Sequence, residues 1–111
     1  MTRLHCARMA IFISLASALL FAQPVRASSA LAKQNTCTGC HAPDRKVVGP
    51  SYKAIAAKYQ NQPQAQVIAH LSNKIRVGGG GVWGVVVMPG NSKISEADAK
   101  TLAQWILDGA P

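Results

Sequence analysis

A five-residue motif, Cys37-Thr38-Gly39-Cys40-His41, limits what this chain can fold into more than any other feature of its sequence. Two cysteines separated by two residues, with a histidine directly after the second, form the pattern used for covalent attachment of haem. The two intervening residues, close to one helical turn, set the separation that the vinyl groups on one porphyrin edge require. The histidine is then held next to the iron, where it serves as the proximal ligand. The motif therefore predicts a chain built around one haem c, with thioether bonds to Cys37 and Cys40 and with His41 as an iron ligand.

The first 27 residues have the pattern of a secretory leader. Basic residues come first, an almost unbroken apolar run follows at residues 10–22, and small residues around Ala27 suit a signal peptidase. The run is too short to span a bilayer comfortably, and an uncleaved membrane anchor is the alternative. We therefore predict a signal peptide at residues 1–27, a folded domain at residues 28–111 and export to the periplasm of a Gram-negative bacterium. Export supports the haem interpretation, because bacteria attach c-type haem outside the cytoplasm.

The other chemistries of a Cys-x-x-Cys pair fit this chain less well. A thioredoxin-like site lies at a helix start that follows a β-strand, whereas the segment before Cys37 is rich in Ala, Lys, Gln and Asn. A structural zinc site needs four ligands. Outside the leader, the sequence offers only the motif itself and one distant histidine, His70. Neither a redox-active dithiol nor a zinc site is therefore favoured over haem.

The predicted domain is small and has little aromatic material for a core. Its 84 residues include nine basic, four acidic and four aromatic ones. Domains of this size often depend on a disulfide, a metal or a cofactor for stability, and a buried porphyrin would serve that purpose. The whole chain is 49% hydrophobic and 14% charged, which is not the composition of a disordered protein. In an exported protein the positive charge does not require nucleic acid as a partner.

Met88 is the predicted ligand on the other side of the iron. It is the only methionine outside the leader, and it ends an apolar run just before Pro89 and Gly90. A thioether is a soft ligand that suits low-spin iron, and His/Met ligation raises the reduction potential. The competitor is His70, which falls about 60° outside the apolar sector of its predicted helix and is expected at the rim or in solvent. An open sixth position is the third possibility.

Helical periodicity and capping residues predict an all-α fold of about four helices around one covalently bound haem. The predicted helices run from Ala30 to about Cys40, from Ser51 to Tyr59, from Pro63 to Arg76 and from Ser95 to Gly109. Ser51 and Ser95 are suited to be N-caps, and a proline favours the first turn of the third helix. Neither an internal repeat nor a βαβ rhythm is present.

Several segments resemble small class I cytochromes c of the bacterial cytochrome c-551 (c8) type. Besides the cysteine motif, they are Val48-Gly49-Pro50-Ser51-Tyr52-Lys53, Gly81-Val82-Trp83-Gly84, Met88-Pro89-Gly90-Asn91 and Leu102-Ala103-Gln104-Trp105-Ile106. The resemblance covers nearly all of residues 28–110 and implies the small cytochrome c fold, with the first and last helices crossing near Gly39 and Trp105. The chain departs from the family at residues 78–80, where glycines replace polar residues. The segment Val85-Val86-Val87, which usually bears a proline, has none, and Gly90 stands where a second proline is usual. The missing prolines are expected to loosen the methionine loop.

The resemblance also implies four further haem-binding residues. Pro50 would supply the carbonyl that orients the ring of the proximal histidine, and Trp83 would offer its indole N–H to a haem propionate. Asn91 would form a hydrogen bond near the sulfur of the methionine ligand. Lys74 falls where the family often has a basic residue close to a propionate.

These features predict a soluble periplasmic carrier of single electrons, not an enzyme, because a six-coordinate iron leaves no site for a substrate. Expected partners are periplasmic or membrane-bound redox proteins, such as a quinol–cytochrome c reductase as donor and a terminal oxidase or nitrite reductase as acceptor. The mature form is expected to be monomeric. The alternatives are a haem protein with a labile sixth position, for gas binding or catalysis, and a haem subunit of a larger oxidoreductase. Basic side chains available to steer an acidic partner are Lys53, Lys58, Lys74, Arg76 and Lys93.

Overall fold

The computed structural model describes residues 25–111, which form four α-helices. They are α1 (Val25–Gln34), α2 (Tyr52–Tyr59), α3 (Gln64–Val77) and α4 (Glu96–Leu107), with a 3-10 turn at Cys37–Gly39 and two short strands, β1 (Gly78–Gly79) and β2 (Met88–Pro89). The predicted signal peptide, residues 1–27, lies outside the described residues except for its last three. No helix among residues 25–111 is long and apolar enough to cross a membrane.

Serine side chains cap two of the helices, as the sequence predicted. Ser51 Oγ accepts a hydrogen bond from the backbone N–H of Ala54, and Ser95 Oγ accepts one from Asp98, each at 3.0 Å. Each bond satisfies an N–H group that has no partner within its helix. Pro63 directly precedes α3. The second, third and fourth helices therefore begin within one residue of their predicted starts.

The first helix differs from the prediction at both ends. It covers Val25–Gln34, whereas the sequence predicted a helix over residues 30–40. Thr36 adopts a left-handed backbone conformation with φ 58°, which a right-handed helix cannot include. The side chain of Asn35 also caps the helix end by donating to the carbonyl of Leu31 at 2.9 Å. The cysteine motif therefore lies on a separate 3-10 turn and not on α1.

The core is mainly aliphatic, as the shortage of aromatic residues predicted. α4 packs against α1, α2 and α3. Four core residues are almost completely buried, each at most 1% exposed. They are Ala32, Ala99, Leu102 and Ala103. The other buried members of the core are Tyr52, Ile55, Val67, Leu71, Ile75, Ile94, Trp105, Ile106 and Ala110.

The first and last helices, α1 and α4, pack against each other, as the resemblance implied. Trp105 is buried, but Gly39 is exposed. A Cβ atom added to Gly39 would meet no atom of residues 25–111 within 4 Å. The small core residues of the two helices are instead Ala32 on α1 and Ala99 and Ala103 on α4. Gly39 is therefore not required for close approach of protein elements at this point.

β1 and β2 form an antiparallel pair that the sequence pattern did not predict. Gly78 is opposite Pro89, and Gly79 is opposite Met88. Gly78 has φ 79°, and a Cβ atom there would overlap the carbonyl oxygen of Met88. Both the backbone conformation and the close approach of the strands therefore require glycine at position 78. The pair attaches the methionine segment to the end of α3.

Candidate functional site

The two motif cysteines and His41 lie together on the tight turn after α1. The backbone N–H groups of Cys40 and His41 both donate to the carbonyl of Cys37, at 3.1 and 2.9 Å. Both cysteines are half-buried free thiols, with no disulfide between them. Burial raises the pKa of the Cys37 thiol above its ordinary value. The two cysteines and His41 line the same cavity.

The ring of His41 is held in one orientation by its neighbours. Its Nδ1 lies 2.7 Å from the carbonyl oxygen of Pro50, which is the contact that the family resemblance implied. Because a carbonyl can only accept, Nδ1 carries the proton and Nε2 keeps a lone pair for a metal. Tyr52 stacks on the imidazole, with ring centroids 5.7 Å apart and an angle of 21° between the planes. Gly49 lies so close to the ring that a Cβ atom there would overlap Cε1.

A cavity of about 540 Å³ connects the cysteine motif with the methionine segment. Its walls are mainly apolar and include residues of α2, α3, α4 and the segment between α3 and α4. Met88 lines the cavity from β2, and its half-buried side chain packs against the hydrophobic core. The volume lies within the range of roughly 300–1,000 Å³ that is typical of small-molecule and cofactor sites.

The residues around the cavity fit a covalently attached haem. Two free thiols, an imidazole with an available Nε2 and a thioether are the donors that haem c requires. The hydroxyl of Tyr52 is buried and has no hydrogen-bond partner within the described part of the chain, and a polar group of a bound ligand would relieve that unfavourable state. Burial raises the pKa of Tyr52 to about 12, so this hydroxyl keeps its proton. Residues 25–111 hold no cluster of three or more His, Cys, Asp or Glu side chains for a metal ion alone.

Lys74 and Trp83, predicted to bind haem, also line the cavity. Lys74 is half-buried, and its Nζ lies so close to Gly79 that a Cβ atom there would stand 2.8 Å away. Trp83 is 42% exposed. The Nζ of Lys58 lies 5.5 Å from the centre of the Trp83 ring, within range of a cation–π interaction.

Asn91 and His70 have partners of their own. Asn91 Nδ2 donates to Oδ1 of Asn35 at 2.8 Å. An amide group has two donor hydrogens, so one is left for the predicted contact with the methionine sulfur. His70 is exposed at the edge of the cavity, and its Nε2 lies 3.4 Å from the hydroxyl of Tyr59. This is the rim position that the helical periodicity predicted.

Three residues near the site received no specific role from the sequence. Gly49 and Tyr52 belong to the Val48–Lys53 segment that carries the family resemblance, and this membership was the available signal. Asn35, two residues before the first cysteine, belongs to no motif. Its contact with Asn91 joins segments that are far apart in the chain, which no local pattern reveals.

The fold and the cavity define a class of protein, namely a small all-α domain around a haem held by a Cys-x-x-Cys-His turn. A sequence profile described as cytochrome c matches residues 25–110, and the chain belongs to the cytochrome c family. Its cofactor is haem c, attached covalently through cysteines. It is a small class I cytochrome of the c-551/c-552 type, an electron-transfer protein and not an enzyme. The predictions of family, fold and cofactor are thereby confirmed.

Similar proteins match most of the chain. Cytochrome c-552 of Nitrosomonas europaea is 51% identical over 92 residues, which cover 83% of this chain and 87% of the relative. Cytochrome c-551 of Pseudomonas aeruginosa is 43% identical over 100 residues, covering 88% of this chain and 93% of the relative. The crystal structure of wild-type Nitrosomonas europaea cytochrome c552 superimposes with a TM-score of 0.70 at 48% identity, covering 73% of this chain and 98% of that one.

Gly49→Ala is expected to destabilise the haem-loaded protein by about 1–3 kcal/mol, the usual effect of overpacking. The added methyl group would overlap Cε1 of His41 and stand 2.9 Å from Nδ1, so the ring must turn away from the Pro50 carbonyl. Guanidinium unfolding of the holoprotein measures the loss. Gly39→Ala is the matched control, since its methyl group would meet nothing within 4 Å in the described part of the chain. Equal stability of the two variants would contradict the close contact at Gly49.

Proposed function

We propose that this cytochrome is a soluble periplasmic carrier of single electrons with one haem c between His41 and Met88. The observation that carries the proposal is that the available Nε2 of His41 and the thioether of Met88 belong to one cavity, which both motif cysteines also line. The two side chains come from different parts of the fold, the turn after α1 and the strand β2. An imidazole and a thioether on opposite sides of a haem are a ligand pair used by cytochromes c.

Each proposed ligand is held by contacts of its own. Pro50 and Tyr52 orient the His41 ring, while Met88 is held by the pairing of β2 with β1 and by packing on the core. When bound, haem c supplies the one-electron couple, and a His/Met ligand pair raises its reduction potential. Two protein ligands leave no coordination position for a substrate, which supports electron transfer over gas binding or catalysis.

The other predicted residues are assigned to the periphery of the haem. Cys37 and Cys40 form the two thioether bonds. Lys74 and Trp83 line the cavity, and both side chains can only donate hydrogen bonds, as a propionate carboxylate requires. Asn91 keeps one amide hydrogen for the methionine sulfur.

Export of the protein is expected to leave a mature chain that begins at Ser28. Expression with the native leader should place the haem-containing protein in the periplasmic fraction, and N-terminal sequencing should read from Ser28. A variant without residues 1–27 is the control, and it should accumulate in the cytoplasm without covalent haem. Recovery of the full-length chain in the membrane fraction would contradict cleavage and indicate a retained anchor.

The surface beside the cavity supports brief docking to an acidic redox partner. Apolar side chains at this surface are partly exposed, with Val48 at 49% and Val82 at 47%. Basic side chains lie around them, because Lys46 and Lys74 line the same cavity and Lys58 sits over Trp83. An apolar centre with charges around it is typical of small, transient redox interfaces.

Electron transfer from a quinol–cytochrome c reductase, or to a nitrite reductase, is expected to slow as salt rises, because screening weakens attraction between exposed charges. At low ionic strength, Lys58→Ala should reduce the second-order rate by roughly 2- to 5-fold, in line with the effect of a rim charge on association. Lys100→Ala is the control, since Lys100 is paired with Glu96 on α4. Stopped-flow kinetics measures the rates. A rate that is independent of salt would reject electrostatic steering.

A further inference from the structure

The side chain of Asn91 forms a hydrogen bond with Asn35, which lies 56 positions away in the sequence. Its Nδ2 donates to Oδ1 of Asn35 at 2.8 Å, and the bond is partly buried. Asn35 is itself fixed, because its Nδ2 donates to the Leu31 carbonyl at 2.9 Å. Its own carbonyl lies 3.7 Å from the Sγ of Cys37. The Asn35–Asn91 bond therefore connects the haem-attachment segment directly to the segment after Met88.

The orientation of the Asn91 amide is fixed from its other side as well. Its Oδ1 accepts a hydrogen bond from the backbone N–H of Lys93 at 3.1 Å, so Nδ2 is the atom that faces Asn35. The backbone N–H of Asn91 donates to the carbonyl of Ile75 on α3 at 2.9 Å. Gly90 packs so tightly on α3 that a Cβ atom there would stand 2.6 Å from the Val77 carbonyl oxygen. The chain directly after the β2 strand is thus firmly attached.

The chain before Met88 is attached less firmly. Val85, Val86 and Val87 line the cavity, and no hydrogen bond within residues 25–111 holds them to the rest of the fold. The segment Val85-Val86-Val87 lacks the proline that the resemblance to the family led us to expect, and glycine stands at position 90 in place of a second proline. Without those prolines, the backbone of the loop has more conformations available when it detaches. The contacts made by the residues after Met88 must therefore contribute more of the stability of the closed methionine loop.

We propose that Asn35 is a positioning residue for the methionine ligand, acting through its hydrogen bond to Asn91 to keep the Met88 loop closed. The inference rests on the proposed ligation by Met88. A hydrogen bond between neutral side chains changes an equilibrium by roughly 2- to 10-fold. Loss of the bond therefore raises the open fraction of the loop by that factor, and the apparent affinity for a competing ligand rises in proportion.

Titration of the oxidised holoprotein with imidazole tests the proposal, because imidazole reaches the iron only after the methionine has left. Asn35→Ala is expected to bind imidazole roughly 2- to 10-fold more tightly than the wild type. Asn35→Asp keeps an oxygen that accepts from Asn91 and should stay close to the wild-type affinity. Gln34→Ala, at the exposed neighbouring position, is the control and should leave the affinity unchanged. Wild-type affinity in Asn35→Ala would overturn the proposal.

A double-mutant cycle separates this role from simple stabilisation of α1. Asn35 acts through Asn91 in the proposal, so Asn35→Ala should have no further effect on imidazole affinity in the Asn91→Ala background. An equal effect in both backgrounds would overturn the proposal, because it would show that Asn35 acts through its cap on Leu31.

Failure of the Asn35 proposal is distinguishable from failure of the Met88 assignment. If Met88 is not a ligand, wild type and Met88→Ala bind imidazole equally tightly, and both proposals are rejected. If Met88→Ala binds far more tightly than wild type while Asn35→Ala matches wild type, only the role of Asn35 is rejected.

Discussion

Met88→Ala is expected to lower the reduction potential by roughly 0.1–0.3 V, a part of the span of about 0.8 V that axial ligands set. The methionine thioether stabilises the reduced iron, and water or another weak ligand would replace it in the variant. The same change opens a coordination position, so the reduced variant should bind carbon monoxide rapidly. Potentiometric titration and carbon monoxide binding measure the two effects.

The control for Met88→Ala is Ser92→Ala, four residues further along the chain. Ser92 is exposed and lies outside the cavity lining, so shortening it should leave both the potential and the ligand binding unchanged. An unchanged spectrum and potential in Met88→Ala would show that Met88 does not bind the iron.

Replacing both motif cysteines with serine is expected to abolish covalent haem attachment. A serine hydroxyl does not add to a vinyl group as a thiol does, so Cys37→Ser and Cys40→Ser should each leave one thioether bond and the double variant none. Because a domain of this size has little core of its own, the double variant should also fail to fold stably. Mass spectrometry of the denatured chain detects the attached haem, and circular dichroism reports the helical content.

The control for the cysteine variants is Thr38→Ala, an exposed position between the two cysteines. It should keep both thioether bonds and the wild-type unfolding transition. Haem that stays attached to the denatured double variant would contradict attachment through Cys37 and Cys40.

Local sequence signals predicted the positions of the helices well. Ser51 and Ser95 accept the capping hydrogen bonds that their positions suggested, because capping depends on residues only three apart. The predicted end of the first helix, at about Cys40, was wrong for a different reason. The left-handed conformation of Thr36 is set by the turn that follows. A threonine in the sequence does not predict this conformation, whereas a glycine would.

The site was predictable where a motif fixes the chemistry and less so where contacts join distant segments. The cysteine motif identified the haem, and the resemblance to the family supplied the Pro50 contact with His41. The pairing of Gly78 with Pro89 and the bond between Asn35 and Asn91 depend on how α1, α3 and the methionine loop pack together. Neither leaves a periodic pattern in the sequence.

The expected looseness of the methionine loop stays a prediction. The run of glycines and the missing prolines favour detachment, whereas β1 and β2, together with the contacts of Asn91, oppose it. The balance between these effects decides whether the iron keeps its sixth ligand and, with it, whether the protein carries electrons or binds external ligands.

An absorption series on the exported, purified protein tests the central claim most directly: oxidised, reduced, and reduced under carbon monoxide. His/Met ligation predicts sharp low-spin bands in the reduced protein, a far-red sulfur–iron band in the oxidised protein, and no change on addition of carbon monoxide. A high-spin spectrum with rapid carbon monoxide binding would contradict the claim, because it would mean that Met88 does not hold the iron.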